Sequence, residues 1–176
     1  MPRLFKGFLV FALLAVLAFA AAPARAAWFF CHGATAVIQP SSLSSITSYD
    51  VAGWGLRVLI KKGKSVWIHA PLSNPALGGT YANEIQLIWR TAANNIYISN
   101  VDVYDGSVRF WLASGNWHGY TGSSAYKATN WKLGQNWKIS RGFGMSFLVI
   151  NKGSKDQEVT IASAGANFDG GPATKD

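Results

Sequence analysis

The residues best suited to chemistry lie in a polar, glycine-rich stretch between Gly115 and Trp137, GNWHGYTGSSAYKATNWKLGQNW. In it, Trp117, His118, Tyr120 and Tyr126 combine flat rings with hydrogen-bonding groups. A tryptophan face can stack on the C–H face of a sugar ring while polar groups bond its hydroxyls, and such sites concentrate on loops. We therefore predict that these four side chains bind a ligand, in the first place a carbohydrate or glycan.

An alternative interpretation places the rings in the core. A buried aromatic side chain removes about 150–250 Å² from water, and a domain without disulfides needs such bulk. We expect Trp54, Trp67 and Trp89 to be core residues, whereas Trp131 and Trp137 fit either environment.

The carboxylates give no clear catalytic pattern. Four of the eight acidic residues have no structural role suggested by the sequence: Asp50, Glu84, Glu158 and Asp169. A glycosidase needs two carboxylates about 5–10 Å apart across a cleft, and Glu84 with Glu158 is the pair to check. No HExxH, GxSxG or phosphate-binding motif is present, so we expect no catalytic residues and no enzyme.

Metal and cofactor sites are not indicated either. The three histidines, His32, His69 and His118, lack metal-ligand spacing, and we expect no metal and no cofactor. His69 is typical of a half-buried strand histidine. Cys31 is the only cysteine and fits a small buried side chain, with an intermolecular disulfide as the alternative.

The first 26 residues are typical of a secretory signal peptide. Arg3 and Lys6 precede an apolar run, and Ala24-Arg25-Ala26 provides a small-x-small cleavage site before Ala27. We expect a secreted or periplasmic protein with a single domain over 27–170, a flexible tail over 171–176 and no integral membrane segment after cleavage.

The charge does not favour nucleic acid as a partner. Removing Arg3, Lys6 and Arg25 from the 16 basic residues leaves 13 against 8 acidic residues, a net charge of +5. Nucleic-acid binders concentrate their charge more strongly. The one concentration, KKGK at 61–64, is typical of a solvated hairpin tip.

Period-two patterning predicts strands over most of the domain. The clearest segments are 34–39, 55–60, 65–70, 83–91, 96–104, 107–114, 136–140, 145–151 and 157–168. The segment 83–91 also matches helical spacing, but its β-rich neighbours favour a strand. Strands 55–60 and 65–70 around KKGK predict a hairpin.

The Asp105-Gly106 dipeptide predicts a second hairpin with a type I′ turn. A two-residue loop at these positions would place Val103 opposite Val108 and Asp102 opposite Arg109, a favourable charge pair. A bulge near Ser99-Asn100 would bring Ile96 and Ile98 onto the same face as the later apolar residues.

Eight or nine short strands with glycine-rich turns predict an all-β fold, an antiparallel β-sandwich of jelly-roll type. An immunoglobulin-like sandwich is the alternative, although its Cys-Trp-Cys pattern is absent.

Three stretches carry a resemblance: GLRVLIKKGKSVWIHAPLSNP, ANNIYISNVDVYDGSVRFW and GFGMSFLVINKGSKDQEVTIASAGANF. Together they resemble small secreted bacterial β-sandwich proteins without an assigned function. The resemblance spans Trp54 to Phe168 and is one of layout. It implies a jelly-roll-like fold and brings no catalytic residues.

Two functions remain open at this stage. One is a secreted, non-catalytic binding protein for a polysaccharide or glycan. The other is a secreted structural or protein-interaction domain. A glycan-active enzyme and peripheral membrane binding through Trp and Lys are weaker alternatives.

The leader gives a first testable prediction. When the full chain is expressed with an export pathway, the recovered protein should begin at Ala27, because the small side chains at 24 and 26 fit signal-peptidase cleavage. Intact-mass measurement and N-terminal sequencing check this. A recovered protein that still contains Phe8 would contradict it.

Overall fold

The fold is an antiparallel β-sandwich of jelly-roll type, seen in a computed structural model that describes residues 27–72 and 80–169. The predicted leader, the tail at 171–176 and the turn around Pro75 lie outside the described residues. The strands are β1 (Ala27–His32), β2 (Val37–Ile38), β3 (Ile46–Ala52), β4 (Gly55–Ile60), β5 (Ser65–Leu72), β6 (Thr80–Thr91), β7 (Ile96–Asp105), β8 (Val108–Trp117), β9 (Lys127–Ile139), β10 (Phe143–Asn151) and β11 (Gln157–Asp169).

Two sheets face each other. Sheet 1 has the order β3-β4-β11-β6-β9, and β1 also pairs with β11, beyond the end of β4. Sheet 2 has the order β2-β5-β10-β7-β8. The all-β sandwich is therefore confirmed, but the described residues form eleven strands rather than eight or nine.

The core forms where inward-pointing side chains of the two sheets meet. Val58 of β4, Leu87 of β6 and Phe147 of β10 are fully buried, as the alternation predicts. Trp89 is also fully buried, as expected. Trp54 is 39% exposed, so its assignment to the core was wrong.

The KKGK segment does not form a hairpin. Its flanking strands belong to different sheets, since β4 pairs with β3 and β11 whereas β5 pairs with β2 and β10. Lys64 N–H donates to the Lys61 carbonyl at 3.1 Å, and Gly63 takes a φ of +66° in this turn. The segment does form a solvated turn, but this turn connects the two layers rather than two paired strands.

The hairpin between β7 and β8 exists with a different register. Asp105 faces Val108, so the loop is Gly106-Ser107 and the pairing is displaced by two residues. The Asp105 carboxylate accepts hydrogen bonds from the backbone N–H groups of residues 140–142. This second role holds Asp105 at the end of its strand rather than inside the turn.

Two details of the same hairpin are confirmed. Arg109 Nη1 lies 3.2 Å from Asp102 Oδ2, although the two residues are not directly opposite. The bulge falls at Ser99, because Ile98 and Asn100 pair with the adjacent residues Val149 and Leu148.

The N-terminal part of the domain differs most from expectation. Only Val37–Ile38 of the predicted strand at 34–39 pairs, while Gly33–Thr35 and Pro40–Ser45 form 3-10 turns. Strands β1 and β3 were not predicted.

A single buried side chain ties the two layers together beside the turn between β4 and β5. Asn151 Nδ2 donates to the carbonyls of Ile60 (3.0 Å) and Lys155 (3.0 Å), and its Oδ1 accepts from Gly153 N–H (2.8 Å). Asn151 is fully buried, so each of these bonds replaces one with water that the group has lost.

Asn151→Ala should lower the free energy of unfolding by about 2–4 kcal/mol, because it leaves several buried backbone groups unpaired. Chemical denaturation measures this. Asn116→Ala, at an exposed position of β8, is the matched control and should change stability by less than about 0.5 kcal/mol. Equal effects of the two variants would contradict the assigned role.

His69 supplies a pH-dependent contribution. Its Nδ1 lies 2.6 Å from Ser146 Oγ on the outward side of sheet 2, and burial lowers the pKa of His69 below its ordinary value of 6.5. The folded state therefore favours the neutral ring. This contribution is complete above pH 6.5 and is lost as the pH falls, since the unfolded chain binds the proton first.

His69→Asn should flatten the fall in unfolding free energy that the wild type shows as the pH drops below 6.5. Denaturation curves at several pH values give the slope. Asn116→Ala, at an exposed position that carries no titratable group, is the control and should leave the slope unchanged. An unchanged slope in the His69 variant would show that the imidazole does not couple to folding.

Candidate functional site

The first two of the four predicted ligand residues are half-buried. The half-buried Trp117 ring packs edge to face on buried Trp131, with centroids 5.4 Å apart. His118 Nδ1 is buried and has no hydrogen-bond partner among the described residues. Gly119 follows against the Trp89 ring, where an added Cβ would come within 2.8 Å of Cε3. This segment therefore closes one end of the core.

The other two are solvent-exposed. Tyr120 and Tyr126 are each 39% exposed. Tyr126 lies over the guanidinium of Arg90, 5.3 Å from ring centroid to Cζ, and Arg90 Nη1 donates to the Ser124 carbonyl. Arg90 thus attaches the loop to sheet 1. The structure separates the four side chains into a half-buried pair and an exposed pair, and Tyr126 borders the outward side of sheet 1.

That outward side, which we call the outer face, carries aligned rows of side chains. Strand register places Trp28, Asn167, Glu84 and Lys132 side by side across β1, β11, β6 and β9. We call this the first row. Because neighbouring strands lie about 4.8 Å apart, the row spans a distance on the scale of a short oligosaccharide.

The second row runs parallel to the first. It consists of Phe30, Gly165, Gln86 and Asn130 on the same four strands. An added Cβ at Gly165 would come within 2.3 Å of Phe30 Cδ1, so the phenyl ring lies directly over this glycine. The absence of a side chain at Gly165 is what lets the ring rest on the sheet.

Trp28 and Phe30 form an exposed aromatic pair at one side of the two rows. Their rings are stacked with centroids 5.6 Å apart and an interplanar angle of 16°. They remain 37% and 47% exposed, which is unusual for two adjacent large rings. The pair provides an apolar platform beside polar groups.

The polar side of the first row opens into a depression of about 390 Å³. It is lined by Asn167, Glu84 and Lys132 and by a bulge in β9, Gly134 to Asn136. The register shows the bulge: Ala82 pairs with Trp137 and Glu84 with Lys132, so residues 133–136 of β9 lie opposite the single residue 83 of β6. Asn167 Oδ1 is buried here and has no hydrogen-bond partner in the described part of the chain.

Hydrogen bonds fix the side chains at the other end of both rows. Gln86 Nε2 donates to Asn130 Oδ1 at 2.9 Å, and Asn130 Nδ2 donates to Glu84 Oε1 at 2.8 Å. This relay orients the amides and the carboxylate before any ligand arrives. Preorganised polar groups beside an apolar surface are the usual composition of a small-molecule site.

A charged third row lies farther along the sheet. Arg57 Nη2 lies 3.0 Å from Asp50 Oδ2, and Glu158 lies between Arg57 (4.0 Å) and Arg90 (3.6 Å). Trp54, which was expected in the core, lies here instead, with its ring centroid 5.3 Å from Arg57 Cζ. The arginines and carboxylates of the third row are paired with one another, so the row is close to electrically neutral.

The carboxylates of the face are too far apart for glycoside hydrolysis. Glu84 neighbours Asn167 in register, whereas Glu158 lies nine positions earlier on β11, about 25–30 Å away along the strand. They line different depressions. Glu84 and Glu158 therefore do not form the carboxylate pair of a glycosidase.

Two further findings concern the described residues. Within residues 27–72 and 80–169, no three His, Cys, Asp or Glu side chains are grouped as a metal site would require. No helix in the same ranges has the length and apolar character needed to cross a membrane. Cys31 is free and half-buried, packed against the core.

Sequence reasoning missed the aromatic pair. The available signal was the alternation in WFFCH, where Trp28 and Phe30 share one side of a strand and Phe29 and Cys31 the other. Which side faces solvent depends on pairing with β11, more than 130 residues away in the chain. The sequence suggests for Glu84 only a pairing with Glu158, not a place in this row.

No family model and no curated protein matches the chain. Among solved structures, it is similar to a xylan-binding module of family CBM15 with a TM-score of 0.50 and 10% identity, covering 82% of this chain and 97% of that one. It also aligns with the C-terminal CBM6 of a marine laminarinase from Zobellia galactanivorans (TM-score 0.43, 12% identity, 78% and 98% covered). At these identities the likeness to the CBM15 module shows a shared fold.

Proposed function

We propose that this chain is a non-catalytic carbohydrate-binding protein that holds a polysaccharide or glycan against the outer face of sheet 1. The observation that carries the proposal is the exposed Trp28–Phe30 stack, aligned in register with the polar depression at Asn167, Glu84 and Lys132. A sugar ring offers an apolar C–H face to the platform and hydroxyl groups to the depression.

The polar groups match the chemistry of sugar hydroxyls. Asn167 Oδ1 is a buried acceptor that lacks a donor, and an unpaired buried acceptor costs free energy until a donor reaches it. Lys132 supplies donors, and Glu84 supplies acceptor oxygens. A hydroxyl group both donates and accepts, so neighbouring hydroxyls satisfy both kinds of partner at once.

The shared fold is compatible with this proposal. The CBM15 module of the same fold is described as xylan-binding, and xylan is accordingly one probe to use. We infer binding without catalysis because the chain's own carboxylates on this face are paired or far apart.

The loop that carries Tyr120 and Tyr126 has a secondary role in the proposal. Tyr126 stands at the border of the outer face over Arg90, where it can contact a longer chain. Ligand contacts by Trp117, His118 and Tyr120 stay a prediction. We also propose that the protein acts outside the cytoplasm after its leader is removed.

A structural or protein-interaction role has one observation in its favour. Strand β3 forms an edge of sheet 1 and exposes Tyr49 (58%) and Val51 (49%). An edge strand with exposed apolar side chains can pair with another chain. Concentration-dependent association in analytical ultracentrifugation, lost in Val51→Lys, would support this alternative.

Trp28→Ala should weaken binding to soluble neutral polysaccharides by tenfold or more, since losing an aromatic anchor costs roughly 2 kcal/mol. Affinity electrophoresis with xylan, galactan and β-glucan, together with calorimetric titration, measures this. Leu112→Ala, at a residue that is 53% exposed on sheet 2, is the control and should bind normally.

Tyr120→Ala separates the two candidate surfaces. If Tyr120→Ala abolishes binding and Trp28→Ala does not, the loop is the site and the outer face is not. If the wild type binds none of the polysaccharides tested, glycan binding itself is contradicted. Release of reducing sugar by the wild type would contradict the non-catalytic part.

A further inference from the structure

Two neighbouring turns at one end of the sandwich carry five lysine residues. Lys61, Lys62 and Lys64 lie in the turn between β4 and β5, and Lys152 and Lys155 lie in the turn between β10 and β11. All five are exposed. We call this group the lysine end.

The arrangement is built into the fold rather than left to mobile loops. Asn151 N–H donates to the Lys64 carbonyl (2.9 Å), and Asn151 Nδ2 donates to the carbonyls of Lys61 (3.3 Å) and Lys155 (3.0 Å). The backbones of three lysines are thus held by one buried residue. Like charges repel one another over about one screening length, ~8–10 Å.

The charge of the lysine end is largely uncompensated. Asp156 is the one carboxylate in these two turns, and its oxygens accept from Thr47 Oγ1 and Lys62 N–H, which holds the pKa of Asp156 below its usual value. None of the five ammonium groups makes an ion pair within the described residues, whereas Arg57 and Arg90 each have a carboxylate partner.

An exposed apolar side chain stands beside the lysines. Leu43 is 48% exposed in the 3-10 turn Pro40–Ser45, and the adjacent Ser44 carbonyl accepts from Lys61 Nζ at 3.0 Å. Neither lysine turn carries an aromatic side chain, so the flat-ring surface used for sugars is missing there. A polybasic cluster beside a leucine is the composition that recognises anionic lipid headgroups.

We propose that the lysine end docks the protein on an anionic lipid surface. The headgroup phosphates would neutralise the lysines, and Leu43 would enter the interfacial layer. This site is distinct from the outer-face rows, because β11 begins beside the lysine end and reaches Asn167 in the first row about 30 Å farther along. Lipid and glycan can therefore be held at the same time.

The test uses the mature chain from Ala27 and sedimentation with vesicles. Vesicles of equal parts phosphatidylcholine and phosphatidylglycerol should bind it, and vesicles of phosphatidylcholine alone should not. Lys62→Gln with Lys155→Gln should weaken binding roughly thirtyfold, at about fivefold per lysine. The matched control, Lys138→Gln with Arg141→Gln, removes two exposed charges elsewhere and should have little effect. Raised salt should release the protein.

Equal binding to both kinds of vesicle, or equal losses in the two double variants, would overturn the proposal. Binding to soluble alginate through the same lysines without binding to the anionic vesicles would overturn it in favour of an acidic polysaccharide. Neutral-polysaccharide binding should be unchanged in the Lys62 and Lys155 variant, so failure of lipid docking and failure of glycan binding give different results.

Discussion

The register of β11 is the constraint on which the rest of the structure depends. This strand pairs with β4 and then β1 along one edge and with β6 along the other, so it fixes which residues share the outer face. Side chains alternate with a period of two, and a slip of one residue would bury Asn167 and expose Phe168. Burial of Val159, Ile161, Ala164 and Ala166 holds the register, while the bulge at Ala162 corrects the alternation midway.

The same strand separates two electrical environments. At its start, lysines surround the buried amide of Asn151, and few carboxylates balance their charge. Immediately beyond it, in the first residues of β11, the arginines of the third row are balanced by Asp50 and Glu158. The net positive charge of the chain is therefore concentrated at one end of the molecule and not on the proposed sugar-binding face. A function inferred from total charge alone would have missed this division.

The positions of most strands could be predicted from the sequence, whereas the pairing between distant strands could not. Alternation predicted β4 to β7, β10 and β11, because period-two burial is a local property. The KKGK turn was wrongly read as a hairpin, since nothing local distinguishes a turn within a sheet from one between sheets. The shift at Asp105 had a similar cause, because its backbone partners lie 35 residues or more away.

The candidate site was predictable only in part. The chemistry expected of a sugar site, rings beside amides on a β scaffold, was assigned to the 115–137 stretch. The structure takes Trp117 and Trp131 into core packing and presents Trp28 and Phe30 instead. Residue types suggest the kind of site, whereas the position proposed for it depends on a pairing between the two ends of the domain.

Backbone amide NMR during titration with a neutral oligosaccharide tests the central claim most directly. If the outer face is the binding surface, the largest shifts should occur at Phe30, Glu84, Asn130 and Asn167, with smaller ones at Tyr126. Shifts confined to residues 118–125 or to sheet 2, or no shifts at all, would contradict the account.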